Sequence, residues 1–152
     1  MKIIYFTQLK EYNDSNMAQW QIIHIVNELR INGWEIELYY PFDALSKVDV
    51  NLKLIEHLRK NKYDIFLSVY NENLLYAVTL DIIRNQGIAS VLLCFDNLFI
   101  PYEHKNIAKY YDLVWLTSWE TECLFKKWGA NTIFLPYAAN PYILEKYKSE
   151  NI

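Results

Sequence analysis

Glycine is scarce in this 152-residue chain, which has three. Each of them, Gly33, Gly87 and Gly129, follows a helical pattern and precedes an apolar run, the place where a helix ends on a left-handed residue. None remains to follow a strand directly and admit a phosphate to a helix N-terminus, so the dinucleotide fingerprint and the P-loop are both excluded. Cysteine is as rare, with Cys94 in an expected strand and Cys123 in an expected helix. Neither has a His or Cys partner at ligand spacing, and both read as buried free thiols. No apolar run approaches the roughly 18 residues of a membrane span. Met1-Lys2 leads into a short apolar run with no small-residue cleavage site, so a secretory signal is not expected and the expected location is cytoplasmic. Charge of one sign is missing too: Lys plus Arg is 15 and Asp plus Glu is 18, a formal net charge of −3. A nucleic-acid partner would require a basic surplus. Lysine-rich pieces such as Lys126-Lys127 lie among acids and read as solvated helix faces.

What the chain has is apolar and aromatic. Hydrophobic residues make up 53% and aromatics 16%, with 13 Tyr, 7 Phe and 5 Trp. A chain of this length can bury roughly 68 to 70% of its unfolded surface, enough for a core without metal or disulfide support. One domain over residues 1–152 is expected.

Short β-rich runs alternate with helical patterns from end to end. The strands expected are Lys2–Thr7, Glu35–Tyr40, Asp64–Tyr70, Ser90–Phe95, Leu113–Thr117 and Thr132–Leu135. Runs such as Ile65-Phe66-Leu67 and Val91-Leu92-Leu93 are nearly continuous, as strands buried on both faces are. The fold class expected is therefore α/β: a Rossmann-like three-layer domain with a mostly parallel sheet of about six strands and helices on both faces. Between the strands, residues 17–32 place Ala18, Ile22, Ile25 and Leu29 on one stripe and Gln21, His24 and Glu28 on the other. Leu52–Lys60 is read as burying Leu52, Ile55 and Leu58 and exposing Lys53, Glu56, His57 and Lys60. A third helix, about 72–86, shows Leu74, Val78 and Ile82 at fourfold spacing. Near 119–128, Thr117 and Glu120 have capping-box spacing, and a last helix is expected from Asn140-Pro141.

Ligands of open parallel sheets bind outside the carboxyl ends of the strands, near the point where strand order reverses. Three loops there are dense in polar and aromatic groups: Tyr70-Asn71-Glu72-Asn73, Asp96-Asn97 followed by Tyr102-Glu103-His104, and Thr117-Ser118-Trp119-Glu120. Carboxylates and amides bond hydroxyls and rings cover apolar faces, a combination suited to a polyhydroxylated ligand. The candidate substrate-binding residues are Gln8, Tyr70, Asn71, Glu72, Asn97, Ser118 and Glu120, and the candidate catalytic residues are Asp96 and His104. Asn71, Thr117 and Ser118 are also natural helix caps, and Asp96 could be a turn residue. His104 is the one histidine at the expected ligand edge, as general base or hydrogen-bond donor.

Other chemistries lack their residues. There is no Gly-x-Ser-x-Gly elbow, no His-Glu-x-x-His and no Cys pair at zinc spacing. A phospho-acceptor receiver needs an Asp ending the third strand, where Ser68-Val69-Tyr70 stands, and Thr7-Gln8-Leu9-Lys10 is a poor flavin phosphate loop.

From Val91 to Leu144 a family pattern is present. The run Leu93-Cys94-Phe95-Asp96-Asn97, then Tyr110-Tyr111-Asp112-Leu113-Val114-Trp115 with Ser118, then Trp128-Gly129-Ala130 and Leu135-Pro136-Tyr137-Ala138-Ala139-Asn140-Pro141, resembles the amino-terminal domain of CgeB-like glycosyltransferases of two-domain GT-B architecture. The likeness covers the last third of the chain in motifs and the rest in βα layout. It implies transfer of a sugar from a nucleotide-sugar to a glycan or other acceptor held by this domain, without a catalytic metal. Asp96 and Asn97 would stand at the cleft edge, and Pro136–Pro141 would approach the interdomain segment. The nucleotide-sugar donor is expected on a carboxy-terminal domain or partner chain, absent before Ile152, so this chain holds no cofactor itself and transfers little alone. Phe99, Ile100 and Trp119 would face that domain. The alternative is a non-catalytic α/β ligand-binding or protein-interaction module.

Overall fold

The computed structural model describes residues 1–8, 20–70, 72–95 and 101–136. Six strands form one sheet: β1 (Lys2–Phe6), β2 (Glu35–Tyr39), β3 (Ile65–Ser68), β4 (Ala89–Cys94), β5 (Leu113–Leu116) and β6 (Thr132–Phe134). Their order is β2-β1-β3-β4-β5-β6, and every pairing is parallel. This is an open Rossmann-like α/β sheet, and its strand order reverses between β1 and β3. All six expected strands are present, each within one or two residues of its expected ends.

Alternation along the strands divides the core in two. Ile4, Phe6, Phe66, Leu92 and Val114 face one side, where they meet Leu54 and Leu58 of α2 (Lys47–Lys60), Leu80 and Ile83 of α3 (Ala77–Asn85), and Phe125 of α4 (Glu122–Lys127). Ile3, Tyr5, Ile36, Leu67 and Leu93 face the other side, against Ile25 and Val26 of α1 (Ile22–Val26 continued by Asn27–Ile31). Each fully buried leucine or phenylalanine contributes about 1.5–3 kcal/mol relative to exposure. Helices α1, α3 and α4 reach the next strand through Gly33, Gly87 and Gly129, at φ of 81°, 78° and 82°, and α2 reaches it through Asn61.

The helices depart from the sequence expectation where polar residues face inward. The described part of α1 contains a π turn, Ile22–Val26, running into α-helix Asn27–Ile31. The wider turn rotates the buried stripe, so Gln21, expected on the polar face, accepts a hydrogen bond from Tyr5 Oη at 2.5 Å. Helix α2 begins five residues before the expected start, because Ser46 caps it by accepting from the Asp49 N–H. That register leaves Leu52 61% exposed and turns His57 inward. His57 stacks on Tyr39 at 3.9 Å, and its Nε2 lies 2.8 Å from Tyr63 Oη and 2.9 Å from Glu37 Oε1. Helix α3 starts at Ala77, not near 72, and buries Thr79, Leu80 and Ile83, while Val78 is exposed. The expected capping box before α4 does not form as such, since Thr117 Oγ1 donates to the Phe95 carbonyl at 2.6 Å. Cys94 is buried as expected, but Cys123 is exposed. The helix expected from Asn140 lies outside the described residues.

Candidate functional site

At the reversal point, β1 is followed by Thr7-Gln8 and β3 by Val69-Tyr70. The Gln8 backbone N–H donates to Tyr70 Oη at 2.8 Å, so two of the residues selected from sequence meet there. Tyr70 is fixed by neighbours on each side: its N–H donates to Ser68 Oγ at 3.1 Å, and its carbonyl accepts from Tyr111 Oη at 3.1 Å. Burial pushes the Tyr70 phenol up to about 12 against the smaller opposing effect of the Gln8 N–H, so it works as a neutral hydrogen-bonding group.

The chain after β3 does not enter a helix at once, and Asn51 is the reason. This α2 side chain is 3% exposed. Its Nδ2 donates to the carbonyls of Lys47 (2.7 Å) and Leu74 (2.9 Å), and its Oδ1 accepts from Tyr76 N (3.1 Å) and Thr79 Oγ1 (2.7 Å). Two of these bonds tie Leu74 and Tyr76 to α2, and a third holds Thr79 in the first turn of α3; Tyr76, with φ of −94° and ψ of 146°, stands just outside that helix.

The loop so fixed walls a cavity of about 410 Å³ with the first turn of α2 and the segment after β4. Its polar lining is Lys47, Glu72, Asn73, Tyr76 and Asn106. Lys47 Nζ donates to the Glu72 carbonyl and sits 4.1 Å from the Tyr76 ring centroid, and Asn106 Nδ2 donates to Glu72 Oε1 at 3.0 Å. An ammonium, a carboxylate, two amides and a phenol thus share one concavity, the donor and acceptor mix that vicinal hydroxyls require.

Of the other residues selected from sequence, Ser118 and Glu120 stand after β5, two strands along from β3, where Ser118 is half-buried and Glu120 exposed. His104 closes the 3₁₀ turn Pro101–His104 but points into the core: it is 7% exposed, its ring lies 6.4 Å from that of Phe125, and its Nδ1 is buried without a hydrogen-bond partner among the described residues. Burial holds its basicity below the ordinary imidazole value. Asn71, Asp96 and Asn97 lie outside the described residues, as do Phe99 and Ile100, while Trp119 is exposed.

Lys47, Tyr76 and Asn106 were not selected from sequence. The one available signal was the place of Lys47 in the polar stretch after the second expected strand, on the side of the sheet where ligands bind; Asn51 was hidden inside a helix. Asp112, part of the Tyr-Tyr-Asp motif, has a structural task. It accepts from Ser90 N and Ser90 Oγ, both at 2.8 Å, and from Arg84 Nε at 2.9 Å. Burial opposes its ionisation, yet these three donors together hold its carboxyl below the usual range. Among the described residues no group of three His, Cys, Asp or Glu side chains is placed to hold a metal, and no helix is long and apolar enough to cross a membrane.

Fold and site together define a Rossmann-like α/β domain with a polar cavity at the carboxyl edge of its parallel sheet. No protein-family model and no curated protein matches the chain. Among solved structures it is similar to Anabaena HepE, crystallised in complex with UDP and glucose, at 14% identity and a TM-score of 0.48. The alignment covers 99% of this chain and 50% of that one, so the chain spans half the length of that protein.

Proposed function

We propose that this chain is the acceptor-binding, amino-terminal part of a CgeB-like, GT-B type glycosyltransferase, and that a nucleotide-sugar donor binds a second domain or partner chain. The observation that carries the reading is the cavity of Lys47, Glu72, Asn73, Tyr76 and Asn106 at the edge of the sheet where ligands of such folds bind. It coincides with a loop selected from sequence for sugar-binding chemistry, in a chain whose last third carries the family's motifs. In this reading Glu72 and the amides bond acceptor hydroxyls, with Gln8, Tyr70, Ser118 and Glu120 along the same edge, and Asn71 and Asn97 remain substrate-binding candidates from the sequence alone. Asp96 remains a catalytic candidate from the sequence alone. His104, enclosed against Phe125 and held neutral by burial, suits a positioning role at the start of the segment that carries Asn106. A donor domain closing on this edge would exclude water and align the reactants, which one half of a cleft cannot do.

The test is a calorimetric titration of the chain with UDP, glucose and maltose, for the parent and for Glu72→Gln. Sugar binding that weakens about tenfold in Glu72→Gln, as loss of a charge-assisted bond entails, with no tighter binding of UDP, supports the acceptor role. UDP binding tighter than either sugar contradicts it. Binding of neither ligand favours an interaction module.

A further inference from the structure

Three lysines among the described residues are half-buried: Lys2, Lys47 and Lys53. Two have carboxylate partners, Lys2 with Glu35 Oε1 at 3.3 Å and Lys53 with Asp43 Oδ2 at 2.9 Å and Asp49 Oδ2 at 3.4 Å. Lys47 has none among the described residues. Its ammonium is oriented by two neutral groups, the Glu72 main-chain carbonyl and the face of the Tyr76 ring. Both fix its direction without cancelling its charge. The Glu72 carboxylate lies on the same cavity wall but is turned to the Asn106 amide, and it forms no ion pair with Lys47.

A half-desolvated cation with only neutral partners is unfavourable until an anion joins it. The other two half-buried lysines show how the chain meets that requirement elsewhere, with an acid of its own. Here the acid is left to the ligand, and the carboxylate beside it is free to accept from hydroxyls. Resting on the sugar-acceptor reading above, we infer that the Lys47 cavity takes an acidic sugar, whose carboxylate or phosphate group bonds Lys47 while its ring hydroxyls donate to Glu72.

Calorimetric titrations of the whole chain with glucose, glucuronate, glucose 6-phosphate and inorganic phosphate test this. Expected is binding of glucuronate or glucose 6-phosphate at least about tenfold tighter than glucose, and the stronger of the two identifies the anion. The preference should vanish in Lys47→Gln, persist in Lys47→Arg, and shrink as salt is raised from 0.05 to about 0.5 M. The salt series needs only the parent protein, so it decides the matter even if a variant misfolds. Equal affinity for charged and neutral sugars, or a preference that survives Lys47→Gln, overturns the inference and leaves the acceptor reading standing. Inorganic phosphate binding as tightly as glucose 6-phosphate overturns it in favour of an adventitious ion only. No binding of any sugar removes the acceptor reading along with it.

Discussion

The amide of Asn51 spends its full set of bonds on two carbonyls, one N–H and one hydroxyl, all inside the protein. Replacing it by leucine keeps the size and takes their partner from the Leu74 carbonyl, the Tyr76 N–H and the buried Thr79 hydroxyl. Asn51→Leu should therefore lower stability by about 2–4 kcal/mol, read as a reduced urea midpoint with unchanged slope. Because Leu74 and Tyr76 lose their ties to α2, the sugar affinity expected under the proposed function should fall in the same variant. Residues of this kind set the limit on what the chain discloses before folding. Glu72 and Tyr70 were legible because a polar cluster after an apolar strand falls at the ligand edge by rule. Lys47 and Asn106 are respectively 25 and 34 positions from Glu72, and nothing local records that they converge on it. His104 was legible as a residue at that edge; its inward rotation depends on Phe125, from an element formed later in the chain.

At the scale of elements, strands were easier to recognise than helices. A strand covered on both faces must be apolar throughout, so Ile65-Phe66-Leu67 has one reading. A helix must be phased, and one inward polar residue or one wide turn changes the phase. In α2 the inward Asn51 replaces the apolar residue that periodicity seeks, and Leu52 fills the stripe wrongly. In α1 the π turn advances the register by one residue, which moves Gln21 inward. The corrected phase of α2 makes a direct comparison: Leu52→Lys should change stability by no more than about 0.5 kcal/mol, whereas Leu54→Ala, at a site with no exposure, should cost about 2–5 kcal/mol. Equal losses in thermal or urea unfolding would return the helix to its sequence-based phase.

Among the described groups whose proton affinity is lowered by folding, His104 and Asp112 act in separate pH windows. His104 is kept neutral by burial, so protons bind the unfolded chain more readily. Its contribution is complete above the unfolded value of about 6.5 and is lost as pH falls through the lower folded value. Asp112 is held ionised by Ser90 and Arg84; its contribution is present above about 3.9 and is lost as pH falls through its lowered value. Stability measured by urea unfolding should thus decline from pH 7 to pH 5 in the parent and less in His104→Phe, which keeps an aromatic ring beside Phe125 and has no proton to take up. An identical slope in both proteins would mean that His104 is hydrated. The strand order carries a different consequence, for the protein as it is made. Of the six strands, β1 leaves the ribosome first, yet it lies between β2 and β3. It must wait for Tyr39 to gain one neighbour and for Ser68 to gain the other, while β4, β5 and β6 each add to an edge already in place. Synthesis thus closes the junction of β1 with β3, beside the candidate site, before the later strands extend the sheet from it, and any delay in translation between residues 40 and 68 prolongs the time that Ile3 to Phe6 spend with one side unpaired.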